Sequence, residues 1–500
     1  MNKHNTIKQN IVRCFAAVSV LALLFSLCAC SSQSKKKSTK KVTSSEELTI
    51  PFSSADSTDP YVCQSESNTL LSGLIYESLF SIKEDRTPAK LLAHSYTIQE
   101  KTITVKLSDS KFSDGSPLSS EDVVHSFNKA KQSPRYKAAL SVFSDAQKKG
   151  NSVVRFILSS KNIYALNLLT FPIVCQKNNY LGTGPYKLSE ADGTQFLEYN
   201  KYHSGKKPKI EKIALLECRD YSNAVNLFND GKIDFLFDEL KDGNVRSNAI
   251  LSQKAPMNNF LFIGLNSKKG MFKSKTFRAA ISTAINQTEL CADALQGFAG
   301  ETATPFDSAW NEIGAIVSNS VLSKESEARA LFEKAGCEYD KMEINLTYGG
   351  KDITLQMVVN SANNMKIALA ELIKAQLVNY GISVDIKKMP LDEYNIAVEN
   401  ESFDMYIGEV KISNDFNLDC FFTDEGGAHF GMNNDSLQQT YLLFKGGNAS
   451  LQEFVSEFSE QNPFIPVGYK KADVCFNSAL KVSGTITENN IYANIEEWSR

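Results

Sequence analysis

Histidine is scarce in this 500-residue chain: there are five copies, and although His94, His125 and His203 each precede a serine, none sits in a nucleophile motif. Gly-x-Ser-x-Gly, His-Glu-x-x-His, a Walker loop and Gly-x-Gly-x-x-Gly are all missing, so no local motif supports hydrolytic, zinc-protease, nucleotide or dinucleotide chemistry, and an enzyme is not expected. Cysteine is equally unpatterned. Seven copies follow Cys30 (Cys63, Cys175, Cys218, Cys291, Cys337, Cys420 and Cys475), an odd number at wide spacing from which no disulfide framework or zinc site can be read. Buried free thiols are the expectation, and they suit an anaerobic or thiol-buffered exterior. After Leu27 no apolar run approaches the roughly 20 residues that a membrane span needs. With a formal charge of -3 there is also no basic excess to attract nucleic acid.

What is present begins at the N-terminus. Lys3, Lys8 and Arg13 precede an uncharged apolar run from Phe15 to Leu27, closed by Leu27-Cys28-Ala29-Cys30. A basic start, an apolar stretch too short to span comfortably and small residues near its end make residues 1–29 an export signal. The Leu-Cys-Ala-Cys ending resembles the lipobox of bacterial lipoproteins, which makes Cys30 the first mature residue and the carrier of a diacylglyceryl group. An uncleaved anchor helix is the alternative, and either leaves the body of the chain outside the membrane. Residues 30–45 follow as a basic tether with Lys35, Lys36, Lys37, Lys40 and Lys41 clustered and Val42 the only large apolar side chain. Such a segment buries too little surface to fold, and as a coil it reaches about 20 Å. Its lysines either favour anionic headgroups or keep a linker soluble. Loss of residues 1–29 removes three of the 54 basic side chains, leaving 51 against 57 acidic ones, a net charge of about -6.

The remaining body is large enough for two or three lobes. Thr102 to Leu107 alternates polar and apolar residues as a strand, and Phe112-Ser113-Asp114-Gly115-Ser116-Pro117 supplies a turn. Ser119 with Asp122 forms a capping box that starts a helix at Ser119 or Ser120, with Val123, Val124 and Phe127 as its apolar face. Phe260 to Leu265 reads as a strand, and Thr276 to Leu290 spaces Phe277, Ala280, Ile281, Ala284 and Ile285 as a helix. Helices over Glu325–Ala335 and Met365–Tyr380 are stopped by Gly336 and Gly381, and a strand over Ile382–Ile386 follows the second. This is α/β construction. Gly182-Thr183-Gly184-Pro185-Tyr186 lacks the lysine and following helix of a phosphate loop, so it reads as a tight turn feeding a strand. Asp424, Glu425 and His429 beside Gly426-Gly427 come nearest to a metal cluster, but loop solubility is the stronger reading, and no metal or cofactor is expected.

In order, these segments resemble the extracellular solute-binding proteins of peptide and nickel ABC importers, a family that includes the dipeptide and oligopeptide binding proteins. The most specific block runs from Phe112 to Val124, matching a phenylalanine-x-aspartate-glycine turn and a glutamate-aspartate-valine helix start. Supporting blocks are Asp59-Pro60, Ile75-Tyr76-Glu77-Ser78-Leu79, the Gly182–Tyr186 turn, Asn200-Lys201-Tyr202, Gly231-Lys232-Ile233-Asp234, Arg278-Ala279-Ala280-Ile281 and Phe403-Asp404-Met405. The resemblance implies a two-lobed periplasmic-binding-protein-like α/β fold with a hinge and an interlobe ligand cleft. One lobe takes residues 46–256 plus 468–500 and the other 257–467, with crossings near Met257–Asn259 and Pro466–Tyr469; Pro463 and Pro466 independently punctuate the chain there. It also implies capture of short peptides for a membrane permease with its ATPase subunits, by a monomer held through Cys30 on the extracytoplasmic face of the cell membrane. The same fold binding nickel, a metal chelate or haem is the alternative.

Peptide recognition in such a cleft works by strand addition, and a buried peptide ammonium then needs a carboxylate partner. The resemblance puts that partner in Glu409–Asp419, with Asp415 first and Asp419 second, Lys411 as a carboxylate or backbone contact, and Asn417 between them. Phe416-Asn417-Leu418 departs from the aromatic-proline pattern that often follows the aspartate. Ser57, Thr58 and Asp59, after the first strand, are expected to line the opposite wall, although Asp59-Pro60 equally reads as a turn. Solvation of a surface loop is the competing reading for Asp415, Asp419 and Lys411.

Overall fold

The computed structural model describes residues 47–316, 325–340, 345–423, 427–432 and 435–500; the export signal, Cys30, the tether and Asp424-Glu425-Gly426 lie outside them. Two long strands, Leu251–Leu265 and Phe464–Phe476, pair antiparallel with register shifts between Pro256 and Phe260 and between Leu261 and Phe262. Phe235–Asp238 pairs with one end of Phe464–Phe476. Met405–Lys411, Thr354–Asn360 and Ser383–Met389 extend the sheet on the other side. The last two are parallel, so the chain must cross between them, and the helix Asn364–Val378 makes that crossover. It stops where Gly381 takes φ +75°, a conformation that costs glycine nothing.

This one sheet serves separate cores. At the Phe235–Asp238 end, Ala255, Met257, Ala472, Val474 and Phe476 join a core whose residues run from Leu48 to Trp498. Two four-stranded sheets belong to it, one built on Leu48–Phe52 with Lys212–Glu217, the other on Thr102–Leu107 with Val153–Leu158. Further along, alternate side chains divide between two more cores, because successive residues of a strand point to opposite faces. Leu261, Ile263, Ile465 and Val467 enter an aliphatic one with Leu369 and Ile373. Phe260, Phe262, Phe464 and Tyr469 enter an aromatic one with Phe306, Trp310, Phe416 and Phe454.

Several expected elements are present as read. Ser119 precedes the helix Ser120–Gln132, with Asp122 accepting from the Ser119 N–H at 2.9 Å and from the Gln176 N–H at 2.8 Å. A Cβ on Gly182 would sit 2.0 Å from the Ile75 carbonyl oxygen, so the tight turn before strand Tyr186–Ala191 needs glycine for close approach. The helix expected over Thr276–Leu290 ends early, at Ala284, because Ile285 is extended and Asn286 caps a new turn by accepting from the Glu289 N–H. The strand expected from Phe260 begins at Leu251, where Ser252, Gln253 and Lys254 hide its periodicity. Among the described residues the seven cysteines are free thiols and six are buried; burial pushes the Cys291 thiol up to about 12. Among the described residues no helix is long and apolar enough to cross a membrane.

Candidate functional site

Where the long strands pass from the first core to the aromatic one, side chains from separate segments enclose a cavity of about 20 Å³, room for roughly one water. It is lined by Ile82, Arg86, Asn258, Asp307, Ile412, Ser413, Asn414, Phe416 and Tyr469. Arg86 sits in the turn between strands Phe80–Ile82 and Pro88–Lys90, fixed by the Lys83 N–H on the Thr87 carbonyl at 2.9 Å and its own N–H on the Lys83 carbonyl at 3.0 Å. Both Arg86 (φ +63°) and Phe416 (φ +58°) are left-handed non-glycine residues, each holding a conformation that costs about 1–2 kcal/mol. Strain of this kind collects where geometry matters for function.

Hydrogen bonds stitch the cavity walls together. Arg86 Nε donates to Asp307 Oδ2 at 2.9 Å and Nη2 reaches the same oxygen. Nη2 also donates to the Met257 carbonyl at 3.1 Å, and Nη1 to Asn258 Oδ1. Asn414 is a hub: Oδ1 accepts from Asn258 at 2.8 Å, Nδ2 donates to Asn489 at 3.1 Å, and its carbonyl accepts from Asn167 at 3.0 Å. Asn162 donates to Asp415 at 2.8 Å. Tyr164, beside Asn162, inserts edge-on against Trp310 and Phe416, which stack at 3.8 Å, and its hydroxyl donates to Glu312 at 3.1 Å. One ion pair, a set of amides and one aromatic edge thus join the walls, and each neutral bond contributes only about 0.5–1.5 kcal/mol net.

Of the sequence-expected residues, Asp415, Asp419, Lys411, Asn417, Ser57 and Thr58 all lie off the cavity wall, while Ser413, Asn414 and Phe416, next to Asp415, are on it. Asp415 is 5 % exposed; burial raises its pKa although Ser413 and Asn162 donate to it. Asp419 folds inward with Asn417: burial pushes its pKa up, but Lys445 Nζ at 2.6 Å outweighs this and holds the carboxyl below the usual range, with the Tyr441 hydroxyl at 2.9 Å. Lys411 pairs with Glu488, whose other oxygen accepts from the Asn258 N–H at 2.8 Å. Ser57 Oγ accepts from the Asp59 N–H at 3.0 Å, and the Thr58 carbonyl accepts from the Tyr76 hydroxyl.

Behind the sheet Glu409 meets Lys366 at 2.7 Å and Lys470 at 3.3 Å; burial would raise its pKa, but the two ammonium groups bring it to about 2. Arg86 and Asp307 escaped the sequence reading, whereas Asn258 and Tyr469 fall in the segments expected as crossings, Met257–Asn259 and Pro466–Tyr469. The one local signal was an arginine, where glycine is the easy choice, in the Asp85-Arg86-Thr87 turn. Among the described residues no group of three or more His, Cys, Asp or Glu is arranged to hold a metal ion.

The family model described as bacterial extracellular solute-binding proteins, family 5 Middle, matches residues 87–427. The chain is 26% identical over 427 residues to the oligopeptide-binding protein AppA of Bacillus subtilis, covering 77% of this chain and 76% of that one. It is 24% identical over 343 residues to the nickel-binding periplasmic protein of Escherichia coli, covering 63% and 65%. The crystal structure of NikA from Brucella suis in complex with Fe(III)-EDTA shares its fold, with a TM-score of 0.68 at 17% identity over 91% of this chain and 99% of that one. The chain therefore belongs to the bacterial extracellular solute-binding proteins of family 5, substrate-binding components of ABC importers, and is not an enzyme.

Proposed function

We propose that this protein captures short peptides in a cleft between two lobes and delivers them to a membrane permease driven by ATPase subunits. The observation that carries this reading is the seam around Asn414: contacts from distant segments meet at the crossing strands through bonds weak enough to part and re-form. The name of the Bacillus subtilis relative, an oligopeptide-binding protein, favours peptides. The lobes comprise residues 46–256 plus 468–500 and residues 257–467. They close about crossings near Met257–Asn259 and Pro466–Tyr469, and the ligand stabilises the shut form by touching both.

Opening separates Asn162 from Asp415 and leaves that carboxylate to meet the peptide ammonium, while main-chain groups of the cleft bind the extended backbone. A lipid on Cys30 holds the monomer at the outer face of the membrane. The test is to extract the full chain in detergent, without refolding, and to identify by mass spectrometry the small molecules released on denaturation. A ladder of short peptides is the expected result. A metal complex without peptides overturns it in favour of the second reading, a nickel or metal-chelate carrier, which the Escherichia coli relative's name supports.

A further inference from the structure

We propose that Asp238 and Asp473 bind one proton between them, and that this proton keeps the turn after Asp238 strapped across the two lobes. The inference rests on the two-lobe reading above and adds a regulator to it, the surrounding pH. Phe235–Asp238 and Phe464–Phe476 run antiparallel with Asp238 directly opposite Asp473. Both carboxylates therefore leave the same face of the sheet, about 4.5–5.5 Å apart at Cβ. Asp238 is 1 % exposed and Asp473 4 %. Asp238 is fully engaged: Oδ2 accepts from the Tyr221 hydroxyl at 2.6 Å and Oδ1 from the Leu240 N–H at 2.8 Å. Asp473 Oδ1 is buried with no hydrogen-bond partner. Like charges opposite each other repel, and a buried carboxylate lacking a partner is far costlier ionised than neutral.

The neighbouring cations are all engaged elsewhere. Lys254 stands opposite Asp473 on the next strand, but its Nζ turns to the Gln296 carbonyl at 2.7 Å and over the Phe298 ring. Lys241 is taken by Glu66 at 3.0 Å and Glu239 at 3.5 Å, Arg246 by Asp242, and Lys471 lies against Gly300. Glu66 also acts on Asp238 and the Cys475 thiol on Asp473, and neither supplies positive charge. Burial raises the Asp238 pKa, Asp473 and Glu66 add to it, and the Tyr221 and Leu240 donors do not cancel it. One shared proton removes the repulsion. What the pair holds is Leu240, a non-glycine residue at φ +51° whose strained conformation is fixed by its bond to Asp238. In sequence Leu240 belongs to residues 46–256, yet its side chain is buried in the aliphatic core. The next two residues grip the same side: the Lys241 carbonyl accepts from Asn363 Nδ2 at 3.0 Å, and the Asp242 carbonyl from the Asn364 N–H at 3.0 Å, where the helix Asn364–Val378 begins. Loss of the proton leaves two facing carboxylates, drives Phe235–Asp238 from Phe464–Phe476 and slackens this strap.

Because the native Asp238 pKa is raised, the pair's contribution is present below the ordinary aspartate value of 3.8 and is lost as pH rises through the native value. The test takes the full detergent-extracted chain, without added ligand, from about pH 4 to about pH 8, and reads the thermal midpoint by scanning calorimetry and the radius of gyration by X-ray scattering. Asp473→Asn is expected to melt several degrees above wild type at the alkaline end, with the gap closing toward the acid end. The radius is expected to grow with pH in wild type and to stay constant in the variant. Asp238→Asn, whose amide oxygen still accepts from the Leu240 N–H, is expected to show the same closing gap. Midpoints of wild type and both variants that run parallel across the range, or variants that melt below wild type at the alkaline end, overturn the pair as a proton site. A closing gap with a constant wild-type radius overturns its hold on the lobes. None of these readouts involves a ligand, so either failure leaves the importer reading standing; that reading falls on the released-ligand test instead.

Discussion

Glu409, half-buried, and Asp415, buried, are carboxylates on one short stretch of chain, yet their surroundings are opposite. Glu409 lies between two lysines behind the sheet and is held ionised down to about pH 2. Asp415, on the seam, accepts side-chain hydrogen bonds from an amide and a hydroxyl, and burial shifts its pKa upward even though the Lys445 charge pulls the other way. Under the proposed opening of the lobes, the difference separates a fixed joint from a detachable one. Pulling a lysine away from Glu409 strands a buried charge, whereas parting Asn162 from Asp415 breaks one hydrogen bond to a neutral group.

The sharpest way to break this contrast is Glu409→Gln, which leaves half-buried Lys366 and buried Lys470 without their counter-charge. A loss of about 3–5 kcal/mol is expected, read as a lowered midpoint in scanning calorimetry. An unchanged midpoint refutes the fixed-joint reading. Acid titration gives the next largest effect. Because the native Glu409 pKa is depressed, its contribution is complete above the unfolded value of 4.5 and is lost as pH falls toward about 2, a loss of a few kcal/mol. Asp415 runs the other way: its native pKa is raised, so its contribution is present below 3.8 and fades as pH rises through the native value. Comparing midpoints from pH 5 to pH 2 should show a steeper acid loss in wild type than in Glu409→Gln, since Asp419 and the other carboxyls with lowered pKa titrate in both.

Asn162→Ala removes one donor from buried Asp415 and costs about 1–3 kcal/mol if the seam stays shut. A smaller cost, with a larger radius of gyration in X-ray scattering, indicates that the seam opens instead. Asp415→Asn is the mildest change. Its amide serves both Asn162 and Ser413, so stability should hold within about 1 kcal/mol while peptide affinity in calorimetry falls. Unaltered affinity removes Asp415 from the site.

Much of the fold was legible because its signals are local. The Ser119–Asp122 cap, the stop at Gly381 and the alternation of Thr102–Leu107 each need only a few neighbouring residues. The helix after Lys275 was overrun because Ile285 continues the apolar spacing while its backbone turns extended, a choice made by packing rather than pattern. In the site, the stretch beginning at Glu409 flanks the cavity, but which side chains face it was hidden. Phe416 takes a left-handed conformation, so simple alternation past Ser413 fails. Arg86 and Asp307 lie 221 residues apart, and nothing in either neighbourhood announces the other.

The first core sets an order on synthesis. Leu48 near one end and Trp498 near the other are both fully buried in it, and strand Phe464–Phe476 supplies Ala472, Val474 and Phe476. This core therefore cannot close until both Leu48 and Trp498 have been made, whereas the aliphatic core needs no residue beyond Val467.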